Sequence, residues 1–95
     1  MTEIRRMVLD ILKPHEPGMT EYAQKLTSQK GVESVNLTLV EVDEEVENVK
    51  ATVKGNQIRL DSLRECVDQL GGSIHSIDEI VCGEEVIEQV KTPQD

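Results

Sequence analysis

The order of helical and strand patterns along the chain constrains its fold more than any other feature. Two helical patterns alternate with four strand patterns in the order β-α-β-β-α-β, and the two halves resemble each other. A glycine and a strand follow each helix, as Gly31-Val32-x-x-Val35 and as Gly72-Ser73-Ile74-x-x-Ile77. A split β-α-β repeat with right-handed crossovers predicts a ferredoxin-like α+β sandwich. Its antiparallel sheet would have four strands in the order 4-1-3-2, with both helices on one face.

Four runs of alternating apolar side chains predict the strands, because successive side chains of a strand point to opposite faces. Residues 84–90 alternate more weakly and predict either a short fifth strand or a tail. Residues 91–95 predict a frayed C-terminal tail, so we expect one domain over residues 1–90. The strands themselves are predicted over residues 6–12, 32–42, 49–53 and 73–82.

Each helical pattern carries one apolar stripe that would face the sheet. The first helix follows Pro17, which is tolerated near a helix start, and Gly31 is predicted to end it as a left-handed cap. In the second helix Asp61 and Ser62 compete as the N-cap, and Gly71-Gly72 is predicted to end it. The two stripes are Met19, Tyr22, Ala23 and Leu26, then Leu63, Cys66, Val67 and Leu70.

The core must be aliphatic, because the chain has no Phe, no Trp and one Tyr. The sheet face opposite the helices has no cover within a monomer, yet it would carry Val8, Leu12, Val40 and Val42. Apolar side chains in such number are unusual on a plain solvated face and predict a homo-oligomer. The predicted core face of the sheet consists of Met7, Leu9, Ile11, Val35, Leu37, Leu39, Val49, Ala51 and Val53.

The acidic balance of the chain disfavours several classes of partner. A formal net charge of −9 repels phosphate backbones and anionic lipid, and almost no aromatic side chain is available to stack on a base. No stretch approaches the length of a membrane span, and the N-terminus lacks the apolar run of a signal peptide. We therefore expect a cytoplasmic protein without a nucleic-acid or membrane partner.

An acidic tract, Glu41-Val42-Asp43-Glu44-Glu45-Val46-Glu47, lies between the second and third strands. Asp43, Glu45 and Glu47 would share one side if the chain stays extended and would cluster if it turns. Hard cations such as Ca²⁺ and Mg²⁺ take several oxygen ligands. These residues are the candidate metal ligands. The tract lacks the spacing of an EF-hand loop, and the alternative is a solvated hairpin tip whose charges discourage aggregation.

The segment His75-Ser76-Ile77-Asp78-Glu79 places an imidazole and two carboxylates on the fourth strand. His75 and Glu79 would share one face, Ser76 and Asp78 the other, and Asp10 on the first strand is the nearest partner. Asp10, His75, Asp78 and Glu79 are therefore candidate ligand-binding residues. Acid–base catalysis would also need a cleft and shifted pKa values, so we expect a hydrogen-bonded strand and not an enzyme.

The turn over residues 13–18 contains two prolines, a glycine, His15 and Glu16. In ferredoxin-like domains that bind heavy metals this loop carries Cys-x-x-Cys, because thiolates hold soft ions. No thiol is present here, so delivery of a soft metal is disfavoured. The simplest interpretation is a rigid turn.

Six segments spread over nearly the whole chain form a distinctive combination: Leu12-Lys13-Pro14-His15, Tyr22-Ala23, Gly31-Val32-x-x-Val35-Asn36, Glu41-Val42-Asp43, Val46-Glu47-Asn48-Val49-Lys50 and Gly72-x-Ile74-His75-Ser76-Ile77-Asp78-Glu79. This combination resembles the archaeal domain-of-unknown-function family 211. The resemblance implies a ferredoxin-like fold, an archaeal cytoplasmic setting and ring-like homo-oligomers. It implies no activity, because the family has no established one.

These observations favour an oligomeric binding or regulatory module with cation or small-ligand sites at the interfaces between subunits. One alternative is a protein whose role is to bind calcium or magnesium. Another is a purely structural assembly without a ligand. An enzyme is the least favoured interpretation.

Overall fold

The computed structural model of the protein describes residues 3–84. The predicted tail over residues 91–95 and the predicted fifth strand over 84–90, apart from Glu84, lie outside this range. The elements are β1 (Ile4–Pro14), α1 (Met19–Thr27), β2 (Val32–Val42), β3 (Val46–Gly55), α2 (Leu60–Gln69) and β4 (Ser73–Cys82).

The strands form one antiparallel sheet in the order β2-β3-β1-β4, which is the predicted order read from the other edge. The predicted ferredoxin-like α+β fold is therefore confirmed. Strands β2 and β4 have the predicted bounds, whereas β1 and β3 are longer. Their extra length comes from paired ends, since Pro14 aligns with Val46 and Lys13 aligns with Glu47.

One aliphatic core lies between the sheet and the two helices. In β2 only part of the predicted face is covered: Val35 and Leu37 pack against the core, but Leu39 is 46% exposed. On the other face Val8 is buried, although it was predicted to be uncovered. Arg6 and Glu79 form an ion pair beside it, and long side chains of this kind cover apolar neighbours. The fully buried apolar residues of the sheet are Met7, Leu9, Ile11, Val49, Ala51 and Val53, as predicted.

The acidic tract forms the tip of the β2–β3 hairpin: its ends belong to the two strands, and residues 43–45 form a tight turn between them. Val42 ends β2, Val46 begins β3, and the Asp43 amide donates to the Val46 carbonyl oxygen at 2.8 Å. A shift in the β2–β3 register between Leu39 and Glu41 leaves Val40 as the extra residue of a bulge. Val42 therefore aligns with Glu47 on the helix side, which corrects its predicted place on the uncovered face.

Two bulges in β4 correct the predicted faces of that strand. Ser76 aligns with Asp10 and Glu79 aligns with Val8, so His75 and Asp78 are the unaligned residues. Because aligned residues share a face, Ser76 and Glu79 lie on the same side of the sheet as Asp10. The simple alternation that separated them fails at each bulge.

The helix ends were predicted with mixed success. The amide of Gly72 donates to the Val67 carbonyl and that of Gly71 to the Asp68 carbonyl, which is the Schellman arrangement expected for Gly71-Gly72. Helix α1 instead ends at Thr27, and Gly31, with φ +88°, immediately precedes β2. Helix α2 starts at Leu60, so Asp61 and Ser62 lie in its first turn and neither occupies the N-cap position.

Candidate functional site

A buried lysine, Lys13, lies near the end of β1. Lys13 continues the buried alternation of that strand, so its side chain points toward the helices and is only 1% exposed. Its Nζ donates to Glu47 Oε1 at 2.9 Å and to the Pro14 carbonyl oxygen at 2.8 Å. Nζ also lies 5.4 Å from the centroid of the Tyr22 ring. The charge is tolerated in this position because it is paired and hydrogen-bonded.

Glu47 on β3 is the counter-ion of Lys13. The β1–β3 register aligns the two residues, and the Glu47 side chain is only 17% exposed. Its second oxygen, Oε2, accepts a hydrogen bond from His15 Nδ1 at 3.0 Å. The hydrogen bond from His15 is the largest cause that lowers the pKa of Glu47 below its usual value, and the hydrogen bond from Lys13 is the second. Both carboxylate oxygens are therefore engaged.

His15 joins the loop between β1 and α1 to the turn between β2 and β3. Its Nε2 lies 2.8 Å from the Glu44 carbonyl oxygen, and its Nδ1 faces Glu47. Both partners are acceptors, so only the doubly protonated, charged imidazole can donate to both of them at once. The Glu47 carboxylate and then the Glu44 carbonyl raise the pKa of His15 above its ordinary value of 6.5.

Tyr22 lies beneath this cluster. Its side chain is fully buried, and its hydroxyl donates to the Leu70 carbonyl oxygen at 3.2 Å, where α2 ends. Burial raises the pKa of Tyr22 to about 12, so the hydroxyl stays protonated as a donor. The one aromatic side chain thus connects α1, the end of α2 and Lys13. We call Lys13, His15, Tyr22 and Glu47 the loop–turn cluster.

The loop–turn cluster was missed at the level of sequence. Residues 13–18 were interpreted as a rigid turn and Glu47 as a candidate metal ligand. A signal was nevertheless present, because Lys13 and Glu47 continue the buried alternations of β1 and β3 at positions where apolar residues are expected. Opposite charges at two such positions indicate a buried ion pair.

The predicted metal ligands are not gathered into one site. The Asp43 carboxylate accepts a hydrogen bond from the Glu44 amide at 2.6 Å, Glu45 is exposed, and Glu47 faces Lys13 and His15. Within residues 3–84, no three His, Cys, Asp or Glu side chains lie close enough together to hold a metal ion. Binding of Ca²⁺ or Mg²⁺ by Asp43, Glu45 and Glu47 stays a prediction.

The second predicted set is brought together only in part. Asp10 and Glu79 lie on the uncovered face, where Glu79 forms an ion pair with Arg6 at 3.1 Å. His75 and Asp78 occupy the two bulges of β4, outside the regular alternation. Bulges often re-aim side chains beside functional sites, but they also protect sheet edges from pairing. Ligand binding by this set stays a prediction.

Within residues 3–84, the large apolar side chains that remain exposed lie on the two edge strands, β2 and β4, and at Val46, the first residue of β3. At one edge, Val40 is 62% exposed and Val42 is 58% exposed. At the opposite edge, Ile80 is 46% exposed. We call the first group, Leu39, Val40, Val42 and Val46, the hairpin patch, and the second, Ile77 and Ile80, the β4 patch.

The described part of the chain contains no helix that is long and apolar enough to cross a membrane.

A family model described as "Uncharacterized ArCR" (DUF211) matches residues 5–95. The chain is also 56% identical, over 95 residues, to "Uncharacterized protein MJ0319" of Methanocaldococcus jannaschii, and the match covers 100% of this chain and 98% of that protein. Both matches agree with the resemblance found in the sequence segments. The chain therefore belongs to the DUF211 family.

Proposed function

We propose that the protein is a self-associating module that binds cations or small ligands at the boundaries between its copies. The observation that carries this proposal is the concentration of exposed apolar side chains on both edge strands. Burying such side chains against another surface is favourable by about 25 cal/mol per Å². Edge strands also leave backbone donors and acceptors free for pairing.

The positions of the patches favour a head-to-tail contact. Strands β2 and β4 are opposite edges of one sheet, so the hairpin patch and the β4 patch face away from each other. A contact between the β4 patch of one copy and the hairpin patch of the next leaves one free patch at each end. Such heterologous contacts close into rings when the rotation allows. The ring-like assemblies implied by the family resemblance are compatible with this arrangement.

The charges around the hairpin patch suit the rim of an interface. Glu41, Asp43, Glu44 and Glu45 are exposed beside its apolar side chains. Protein interfaces commonly combine an apolar centre with a polar, solvent-accessible rim. The acidic turn would then lie at the subunit boundary, where a second copy could add further oxygen ligands to it.

Complementary variants test the head-to-tail contact. We expect Val40→Asp, in the hairpin patch, and Ile80→Asp, in the β4 patch, each to weaken self-association roughly tenfold or more, because each buries a charge in an apolar contact. Each variant keeps one intact patch, so an equimolar mixture should form a 1:1 complex. Sedimentation velocity and light scattering would measure both effects.

Thr38→Asp is the matched control, since Thr38 is an exposed polar residue of the same edge strand. It should associate as the wild type does. A wild type that is monomeric at micromolar concentration would contradict the proposal. Variants that are each monomeric but form no complex on mixing would exclude the head-to-tail contact.

Calorimetric titration of Ca²⁺ and of Mg²⁺ tests the cation part of the proposal. We expect heat from the wild-type assembly and little from an Asp43→Asn, Glu45→Gln variant, because hard cations need carboxylate oxygens. Glu33→Gln is the control, because it removes one exposed carboxylate near the start of β2, away from the turn. Equal heats in all three proteins would remove the turn from consideration.

The same titration separates the alternatives. Binding that persists in the Val40→Asp monomer would favour a cation-binding protein that needs no assembly. An assembly that forms but binds neither ion would favour a purely structural role. No catalytic activity is part of the proposal.

A further inference from the structure

A surface cavity of about 640 Å³ lies at the end of the sheet where β1 begins and β3 ends. Three segments of one copy line it: residues 3–4, residues 30–31 and residues 56–59. Ile58, which is 3% exposed, and the half-buried Ile4 contribute apolar surface. The volume lies within the range of about 300–1,000 Å³ that is typical of small-molecule sites. We call this space the β1–β3 cavity.

Backbone hydrogen bonds between the three segments fix the shape of the β1–β3 cavity. The Asn56 amide donates to the Gly31 carbonyl oxygen at 2.8 Å, and the Ile58 amide donates to the Ile4 carbonyl oxygen at 3.1 Å. A Cβ at Gly31 would lie 2.6 Å from the Gln57 carbonyl oxygen, so the two loops can approach this closely only at a glycine. The cavity is therefore formed before a ligand binds, which lowers the cost of binding.

Two cations from separate loops line the β1–β3 cavity. Lys30 precedes β2 and Arg59 precedes α2, and both residues are exposed. Lys30 forms no ion pair within residues 3–84. Arg59 lies 3.5 Å from Asp61, but the two side chains are 65% and 76% exposed, so this pair is weak. Both cations can therefore turn toward a ligand at little cost.

The carboxylate in the lining, that of Glu3, has partners of its own. Its Oε2 accepts a hydrogen bond from Gln57 Nε2 at 3.0 Å, and its Oε1 lies 3.8 Å from the Arg5 guanidinium. The lining therefore carries two positive charges and one compensated negative charge, although the whole chain has a formal net charge of −9. An excess of positive charge in such an acidic protein favours an anionic ligand.

The number and kind of these groups indicate which anion fits. Two cations suit a phosphate monoester, which carries about −1.5 to −2 charges at pH 7, better than a single carboxylate. The volume leaves room for an organic body, and the amide side chains of Asn56 and Gln57 suit hydroxyl groups. Tyr22, the one aromatic side chain, is fully buried and cannot stack on a nucleobase. We propose that the β1–β3 cavity binds a small phosphate monoester with a hydroxylated body, such as a sugar phosphate.

Calorimetric titration of the wild-type protein with glycerol 3-phosphate and with ribose 5-phosphate tests this proposal. We expect at least one of them to bind with a Kd below about 1 mM at low ionic strength and more weakly as salt screens the charges. Glycerol and ribose should give no heat, and adenosine monophosphate should bind no more tightly than ribose 5-phosphate. The proposal is overturned if neither ester binds, or if inorganic phosphate or succinate binds as tightly as both esters.

Variants of the two cations place the binding in the β1–β3 cavity. Lys30→Gln and Arg59→Gln should each raise the Kd of the ester roughly tenfold, because each removes one charge-assisted hydrogen bond. Lys50→Gln is the matched control, since it removes the same charge from an exposed lysine of β3 outside the lining, and it should bind as the wild type does. Unchanged affinity in both cavity variants would contradict the proposal.

The assembly variant Val40→Asp separates this proposal from the proposed function. Every residue of the lining comes from one copy, so Val40→Asp should bind the ester with the affinity of the wild type. Lost binding in that variant would show that one copy is not sufficient, and the proposal would fail. If the wild type is monomeric and still binds the ester, the proposed self-association fails and the cavity site stands.

Discussion

Replacing Tyr22 with alanine is expected to lower the free energy of unfolding by roughly 3–5 kcal/mol. Tyr22 is fully buried and is the only aromatic side chain in the protein, so no neighbouring ring can fill the space it leaves. The substitution also removes the ring beneath the Lys13 ammonium and the donor to the Leu70 carbonyl. A domain is typically stable by about 5–15 kcal/mol, so this loss is a large fraction of the total.

Tyr22→Phe is the matched control, because it keeps the ring and removes only the hydroxyl. We expect it to cost about 1 kcal/mol, the usual effect of one lost hydrogen bond. Urea unfolding followed by far-ultraviolet circular dichroism would measure both variants at one protomer concentration, since association shifts apparent stability. Equal losses in the two variants would show that the hydroxyl, and not the packing of the ring, carries the contribution of Tyr22.

Replacing Gly55 with alanine is expected to destabilise the fold by roughly 1–3 kcal/mol or more. A Cβ at Gly55 would overlap the carbonyl oxygen of Gly31 and lie 2.9 Å from the carbonyl carbon of that residue and 3.0 Å from the Val32 Cα. These are backbone atoms, so no side-chain rotation can relieve the overlap. The start of β2 would have to move away from the end of β3.

The displacement should be visible locally as well as in the unfolding curve. The Asn56 amide donates to the Gly31 carbonyl at 2.8 Å, so its hydrogen exchange should accelerate in Gly55→Ala. Gly18→Ala is the control, because a Cβ there meets nothing within 4 Å. If Gly55→Ala were no less stable than Gly18→Ala, and the Asn56 amide kept its protection, the close approach would have no energetic importance.

Much of the fold was predictable from local patterns. The alternation of Met7, Leu9 and Ile11 identified the buried face of β1, and two glycines after Leu70 identified the end of α2. Periods of this kind depend on neighbours along the chain, so they are visible before any tertiary contact is known. The sheet order followed from these elements and from the handedness of their connections.

Bulges and helix starts were not predictable in the same way. The bulges at Val40, His75 and Asp78 each change which side chains share a face, because one inserted residue shifts a period of two. Helix α2 starts at Leu60 without a side-chain cap, although better capping residues follow at once. In both cases tertiary packing prevailed over the local preference.

For the acidic tract, some features were predictable from the sequence and others were decided by the tertiary structure. Its composition alone predicted a hairpin tip rich in carboxylates, and a tight turn over Asp43 to Val46 is present. The role of Glu47 was decided by the register that aligns it with Lys13, together with a loop that brings His15 to the same carboxylate from 32 residues away in the chain. The sequence determined the elements and the buried faces of β1 and β3, because those follow from short periods. The partners of each charge depended on long-range alignment, which only the tertiary structure sets.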